Sequence, residues 1–162
     1  MQSKKSMPRK IIVGGLGLPI NTEGQYLLTR RNAPDLKAWH NKWQVAGGAL
    51  EFGETPEETT LRELEEELRV KARIIYPLPI VKTSIWYGHE TARRFDSQIV
   101  LVVYLVDIGN QAVDISYENE TNSFGWFTHK QVMRLDTLPL TRDIVAAAET
   151  MCSQYGLRRL LE

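Results

Sequence analysis

The segment over residues 48–70 constrains the fold of this chain most strongly, because it combines a helix start with a dense group of acids. Thr55, Pro56 and Glu58 have the spacing of a threonine N-cap, a proline at the first helical position and a capping-box glutamate. The spacing therefore predicts a helix that begins at Pro56. A stripe of apolar residues at i, i+3 and i+7 is expected to pack this helix on the core: Leu61, Leu64 and Leu68.

Three carboxylates are predicted to share the helix face away from that stripe. Glu63, Glu66 and Glu67 are spaced i, i+3 and i+4, and acids this close repel each other unless a cation neutralises them. Hard oxygen ligands of this kind suit magnesium or manganese. A run of glutamates is also typical of a solvated helix face, and the helix alone favours that interpretation. The preceding Gly47–Gly48 pair, which allows a close backbone approach, and Arg62, which can hold a glutamate in one rotamer, favour a metal site instead.

These residues resemble the signature of the Nudix hydrolase family, G-x5-E-x7-R-E-U-x-E-E-x-G-U, in which U is an aliphatic residue. The matching residues are Gly48, Glu54, Arg62, Glu63, Leu64, Glu66, Glu67 and Val70. Two positions depart from the family pattern. Ala46 replaces the proline of a W-x-x-P-G-G motif that begins at Trp43, and Arg69 stands where the signature has glycine. Such a glycine lets the chain turn off the helix at positive φ, so Arg69 is expected to extend the helix instead.

The resemblance implies a fold, a cofactor and a set of site residues. The implied fold is an α/β/α sandwich with a mixed β-sheet, which the predicted order of strands, one helix, strands and terminal helices also favours. The implied reaction is hydrolysis of a nucleoside diphosphate linked to another group, with Mg²⁺ or alternatively Mn²⁺. By resemblance, the metal ligands are Glu63, Glu66, Glu67 and the carbonyl of Gly48, and the residues that orient them are Arg62 and Glu54. Glu63 is the first choice for the general base.

A loop acid is expected to join this site, since many relatives place one shortly before a strand that contains tryptophan. Glu120, ahead of Trp126, occupies such a place, and Glu118 is the competing choice. Either residue is alternatively an ordinary exposed acid in the loop predicted over residues 108–122.

The substrate predicted first is a nucleoside triphosphate, hydrolysed in a MutT-like reaction to a monophosphate and pyrophosphate. The alternatives are a dinucleoside polyphosphate, or a nucleotide sugar or ADP-ribose. A non-catalytic nucleotide sensor ranks last, because the carboxylates are retained. The residues assigned to substrate binding are Arg30, Trp43 and Tyr87. Each also has a structural interpretation: Arg30 as a solvated strand end, and the two aromatic residues as core packing.

The composition limits the remaining possibilities. A chain of 162 residues fits a single domain over residues 1–162, with a flexible tail predicted over residues 1–9. A net charge of zero argues against a nucleic-acid polymer or an anionic membrane as partner, and no apolar run approaches the length of a membrane span. The single Cys152 favours a reducing compartment, so a cytoplasmic location is expected. The sequence is compatible with a homodimer and with a monomer.

Further segments have predicted secondary structure. A strand over residues 11–18, a turn over residues 21–24 and a strand over residues 25–31 are predicted to form a hairpin. A continuously apolar strand is predicted over residues 98–106 and a short strand over residues 123–127. Thr128 and Gln131 are expected to start a small helix, and Thr141 is expected to cap a final helix that runs to about Leu161.

Overall fold

The strands of the described residues form two sheets. The computed structural model describes residues 7–161. Its strands are β1 Arg9–Pro19, β2 Gln25–Arg31, β3 Trp43–Gln44, β4 Ala46–Ala49, β5 Arg73–Ile74, β6 Ile80–Trp86, β7 Asp96–Asp107 and β8 Thr121–Thr128. Its helices are α1 Pro56–Leu68, α2 Gly88–Thr91, α3 His129–Val132 and α4 Thr141–Tyr155, followed by a 3₁₀ helix over Leu157–Leu160.

The larger sheet is mixed, as predicted. Its order is β4-β1-β7-β5, with β6 also paired to β7. β1 and β7 run parallel, with Gly15 opposite Val102, whereas β4, β5 and β6 pair antiparallel to their neighbours. A second, antiparallel sheet has the order β3-β2-β8. The predicted hairpin of β1 and β2 is therefore wrong: the turn carries the chain from one sheet to the other, and an isolated bridge between Ile20 and Tyr26 joins the two strands.

Alternation along β1 puts the two main helices on opposite faces of the mixed sheet. Leu16 and Leu18 belong to a core cluster that includes Ile144 of α4. The alternate residues Gly15 and Gly17 face α1: a Cβ added to Gly17 would lie 2.4 Å from Leu64 Cδ1, and one added to Gly15 would lie 2.8 Å from the carbonyl oxygen of Pro56. The result is the expected α/β/α arrangement, with α1 in close contact with β1.

The start of α1 is confirmed, but its apolar stripe is partly wrong. Thr55 is the N-cap with a complete capping box to Glu58, and Pro56 is the first helical residue. Leu64 and Leu68 are fully buried, whereas Leu61 is 36% exposed. Thr59 and Thr60 are buried in its place. The glycines of β1 bring the helix so close that small threonines fill this part of the interface.

Several predicted ends of elements also differ from the structure. β8 begins inside the predicted loop, and α2 forms within a connection between strands. Thr141 does not cap α4: the N-cap is Leu140, with φ of 73°, and the helix ends before Gly156. The small helix that starts at Thr128 is confirmed. The tail predicted over residues 1–9 falls mostly outside the described residues, and Arg9 is already part of β1.

A buried tyrosine links the C-terminal helices to the smaller sheet through hydrogen bonds. Tyr26 of β2 is fully buried, and its hydroxyl donates to Glu149 Oε2 of α4 at 2.5 Å. Arg158 Nη2 donates to the same hydroxyl oxygen at 3.0 Å. Burial, followed by the hydrogen bond to Glu149, raises the pKa of Tyr26 well above its ordinary value, so the hydroxyl stays protonated. Within residues 7–161, no helix combines the length and the apolar character that crossing a membrane would require.

The end of α1 replaces the predicted helix extension with a left-handed turn. Arg69 adopts φ of 57° and ψ of 35°, and its N–H donates to the carbonyl oxygen of Glu65. Its guanidinium carbon lies 5.0 Å from the ring centroid of Tyr117, in the loop between β7 and β8. The N–H of Asp114, in the same loop, donates to the carbonyl oxygen of Leu68 at 3.0 Å. Arg69 thus adopts the left-handed conformation expected of the signature glycine. The loop between β7 and β8 contacts the end of α1 through Tyr117 and Asp114.

We expect Arg69→Gly to raise the free energy of unfolding by at most about 1 kcal/mol, because glycine adopts this conformation without steric cost. Arg69→Ala is the matched variant: it loses the contact with Tyr117 and keeps the strain, so it should lower stability. Thermal and urea denaturation of both variants measure the difference. Equal destabilisation by the two substitutions would contradict the strain at Arg69.

Candidate active site

Arg62 is the centre of an ionic network at the start of α1. Its Nε donates to Glu54 Oε1 at 3.0 Å and to Glu54 Oε2 at 3.2 Å. Its Nη1 donates to Glu63 Oε1 at 2.9 Å and to Glu66 Oε2 at 3.3 Å. One guanidinium therefore orients three of the carboxylates that the sequence assigns to the site.

Glu54 is held ionised from two sides. The hydroxyl of the buried Thr59 donates to Glu54 Oε2 at 2.8 Å. Desolvation opposes ionisation of Glu54, but the hydrogen bonds from Thr59 and Arg62 outweigh it and lower the pKa of Glu54. Glu54 thus stays negative and fixes the position of Arg62.

Glu63 lies directly against the backbone of β4. A Cβ added to Gly48 would be 2.4 Å from Glu63 Oε1, so the position opposite this carboxylate has room for glycine alone. Burial raises the pKa of Glu63 despite the opposing effect of Arg62. The close approach predicted for the glycine pair is therefore present, and its neighbour is a carboxylate of the acidic face.

Glu67 is the most deeply buried of the three acids. Its Oε2 is inaccessible to solvent and has no hydrogen-bond partner. Burial, followed by the charges of Glu63 and Glu118, raises the pKa of Glu67 to about 8. A backbone hydrogen bond from Gly47 acts in the opposite direction. An unpartnered carboxylate oxygen in a group of hard oxygen donors fits a divalent cation.

The acids are not arranged as a closed metal centre. Among residues 7–161, no group of three or more His, Cys, Asp or Glu side chains has an arrangement that could hold a metal ion. Arg62 instead hydrogen-bonds both Glu63 and Glu66. The acidic face is also not simply solvated, since Glu63 and Glu67 are partly buried against β4.

The loop before β8 brings Glu118, rather than Glu120, into electrostatic contact with the helix acids. Glu118 raises the pKa of Glu67 by its charge. The carboxylate of Glu120 is 70% exposed and lies 3.3 Å from Arg31 Nη2. Glu120 is therefore engaged by an arginine of β2, a contact that neither the spacing to Trp126 nor the loop length could show.

A cavity of about 320 Å³ opens beside the acids, between the two sheets and the start of α4. Its interior is mainly apolar, and the backbone of Gly47 and Gly48 forms part of its wall. Four aromatic or cationic side chains also line it: Arg31, Trp39, Trp86 and Arg93. The rings of Trp39 and Trp86 pack edge to face at 4.8 Å. The acids do not line the cavity, but Gly48 of β4 lies against both the cavity and Glu63.

The three residues that the sequence assigns to substrate do not line this cavity. Arg30 Nε donates to Asn122 Oδ1 at 2.8 Å, and the ring of Trp43 packs edge to face on Phe127 at 4.8 Å. Tyr87 lines a separate cavity of about 480 Å³ and stacks on His89. Arg31 and Trp39 line the cavity instead. A register shift in the pairing of β2 with β8 falls between Arg30 and Arg31, and the sequence carries no signal for it.

Comparisons with known proteins agree with this geometry. The model of the NUDIX domain matches residues 11–148. Nucleoside triphosphatase NudI of Enterobacter sp. (strain 638) is 28% identical over 123 residues, which are 76% of this chain and 86% of that protein. The 8-oxo-dGTP diphosphatase of Escherichia coli (strain K12) is 32% identical over 79 residues, 44% of this chain and 60% of that protein.

Solved structures share the fold. A MutT NUDIX hydrolase from Burkholderia pseudomallei matches with a TM-score of 0.62 at 22% identity, over 85% of this chain and 97% of that one. The family match runs from β1 into α4 and so includes every side chain of the acidic network. The chain therefore belongs to the Nudix family, whose members are hydrolases that act on pyrophosphate bonds of nucleoside diphosphate derivatives.

Proposed function

We propose that the protein hydrolyses nucleoside triphosphates to a nucleoside monophosphate and pyrophosphate. The observation that carries the proposal is that Gly47 and Gly48 line an apolar, tryptophan-containing cavity and also contact the acids Glu67 and Glu63. A base fits the apolar part of the cavity, and a polyphosphate chain would lie toward the acids once bound cations neutralise the charge. The names of the relatives, a nucleoside triphosphatase and an 8-oxo-dGTP diphosphatase, support this substrate class.

Magnesium is the proposed cofactor, with Glu63, Glu66, Glu67 and the carbonyl of Gly48 as its ligands. When bound, divalent cations neutralise phosphate charge and lower the pKa of a coordinated water. The unpartnered oxygen of Glu67 supports its place among the ligands. On the loop, Glu118 is better supported than Glu120 as a further acid, because its charge acts on Glu67.

The protein's own groups supply orientation. Arg62, fixed by Glu54, holds one oxygen of Glu63 in a hydrogen bond, and the other oxygen accepts no hydrogen bond from Arg62. Glu63 is the proposed general base, since it lies against Gly48 at the edge of the cavity. Water that is deprotonated there can attack a phosphorus of the substrate, and pyrophosphate leaves with the displaced oxygen.

A dinucleoside polyphosphate is the second candidate substrate. It ranks below a nucleoside triphosphate because of the position of Tyr87. Such a substrate needs a second aromatic platform beyond the phosphates, and Tyr87 lines a cavity separate from that of Gly48. The retained acids, and the hydrogen bonds by which Arg62 orients Glu54 and Glu63, argue against a nucleotide sensor that does not hydrolyse its ligand.

We expect Glu67→Gln to lower kcat with a nucleoside triphosphate by roughly 100-fold or more, because loss of groups that merely orient a metal ligand already costs about 10–100-fold. Without metal, the same variant should be more stable than the parent at neutral pH, because burial that raises the pKa of Glu67 to about 8 costs stability, and a neutral glutamine does not have this cost. A gain of about 1 kcal/mol corresponds to roughly 2–4 °C in Tm for a domain of this size. Magnesium should raise the Tm of the parent and leave that of Glu67→Gln nearly unchanged.

Glu65→Gln is the matched control, because Glu65 is an exposed acid on the same helix and the substitution changes the charge equally. It should behave like the parent in both measurements. Parental turnover of Glu67→Gln at saturating magnesium would show that Glu67 is not a metal ligand.

The substrate class is tested by comparing kcat/KM for standard and oxidised nucleoside triphosphates, diadenosine tetraphosphate and ADP-ribose, with products identified by chromatography. A triphosphate should be preferred and should yield equal amounts of monophosphate and pyrophosphate. Trp39→Ala should lower kcat/KM about tenfold, because the ring forms part of the cavity wall and holds Arg31 and Arg93 beside it. Tyr87→Ala should change it less than about twofold, because Tyr87 lies outside the cavity. A preference for diadenosine tetraphosphate that Tyr87→Ala abolishes would favour the second candidate.

A further inference from the structure

The short connection between α2 and β7 presents a cation to the cavity. Arg93 lies in this connection, and its side chain lines the cavity that Gly48 also lines. Its guanidinium carbon is 5.3 Å from the ring centroid of Trp39 and 5.6 Å from that of Phe95. Stacking on two rings fixes the plane of a guanidinium and leaves its N–H edge available for an anion.

The backbone around Arg93 is held in place. The N–H of Arg93 donates to the carbonyl oxygen of Gly88 at 3.1 Å, and the N–H of Gly88 donates to Asp96 Oδ1 at 2.9 Å. Ala92 takes a left-handed conformation, with φ of 55°, that ends α2 and turns the chain toward the cavity. The guanidinium is therefore presented from a fixed turn.

A second cation contacts the same tryptophan. The guanidinium carbon of Arg31 lies 5.4 Å from the Trp39 centroid, and its Nε is buried without a hydrogen-bond partner. Arg31 is paired with Glu120, whereas no carboxylate within residues 7–161 forms an ion pair with Arg93. Arg31 also acts on Glu67 by its charge, so among residues 7–161 Arg93 is the cation beside this ring without an ion-pair partner, and it can attract a further anion.

The shape of the Arg93 guanidinium favours a phosphate group as the anion that it binds. The rest of the cavity is mainly apolar, with walls that include Leu16, Val45, Ile99 and Leu101. A planar guanidinium with a free edge suits phosphate oxygens, which it can bind in a bidentate manner. We propose that Arg93 binds the polyphosphate chain of the substrate and makes affinity depend on the number of phosphate groups. This inference rests on the proposed function, because it assigns Arg93 to the same substrate.

The test compares Arg93→Gln with Arg94→Gln in the full chain with magnesium. Arg94 is the adjacent, exposed residue, so its substitution removes the same charge from the same connection. We expect Arg93→Gln to raise KM for a nucleoside triphosphate about tenfold and for the corresponding diphosphate about threefold, with little change in kcat. Arg94→Gln should leave both KM values within about twofold of the parent. Arg93→Lys should recover part of the loss, since it keeps the charge without the planar fork.

Equal KM values for Arg93→Gln and Arg94→Gln, or a lower Tm of Arg93→Gln with unchanged KM, would overturn the proposal and assign Arg93 to packing. If Arg93→Gln does not fold, Arg93→Lys and Arg94→Lys replace the pair, and a KM for the triphosphate raised in the first alone is the expected result.

Binding of inorganic triphosphate, followed by tryptophan fluorescence, separates this inference from the proposed function. Weaker binding to Arg93→Gln than to Arg94→Gln would support the anion site even if nucleoside triphosphates were not hydrolysed. Hydrolysis of triphosphates together with equal binding of inorganic triphosphate to the two variants would overturn the role of Arg93 and leave the proposed function in place.

Discussion

The close packing of α1 on β1 is the contact on which the rest of the site depends. Gly15 and Gly17 offer no side chains to the helix, so Thr59, Thr60 and Leu64 pack directly on the strand backbone. This depth places Glu63 against Gly48 and buries Glu67. A larger residue at either glycine of β1 would push the helix outward, and the acids would lose the burial that raises their pKa values. Close packing in the core thus also brings the carboxyl groups of α1 close to β4.

The partial burial of these acids is stabilised by an arginine that lies among them. Arg62 bonds Glu54, Glu63 and Glu66, and Glu54 is fixed in turn by Thr59. Breaking such a network by removing one charge costs more than the pair contributes, since the partner is left buried and unpaired. Glu67 makes no hydrogen bond to Arg62, and its buried Oε2 has no partner, although the charge of Arg31 acts on it from a distance. A bound metal ion would therefore offset the cost of burying this carboxylate.

The sequence predicts best those features that depend on residues near one another in the chain. The capping box at Thr55, the acids on α1 and the mixed sheet all follow from local spacing and hydrophobic pattern. Features that depend on distant pairing do not. The separation of β1 and β2 into two sheets, the register shift beside Arg30 and the engagement of Glu120 by Arg31 are tertiary contacts. For this reason the capping and the shared helix of the signature acids could be predicted from the sequence, whereas the residues that line the cavity, such as Arg31 and Trp39, could not.

The bond between Tyr26 and Glu149 has a mechanical consequence for the cavity. Tyr26 belongs to the smaller sheet, while Glu149 lies on α4, whose first turn provides Thr141 and Ile144 to the cavity wall. A helix of this length moves as a rigid rod, so the bond fixes its angle relative to both sheets. The distance between the cavity walls then depends on a hydroxyl bonded to Glu149, about one and a half helical turns beyond Ile144. The width of the cavity is, in that sense, a property of the contact between sheet and helix as well as of the lining.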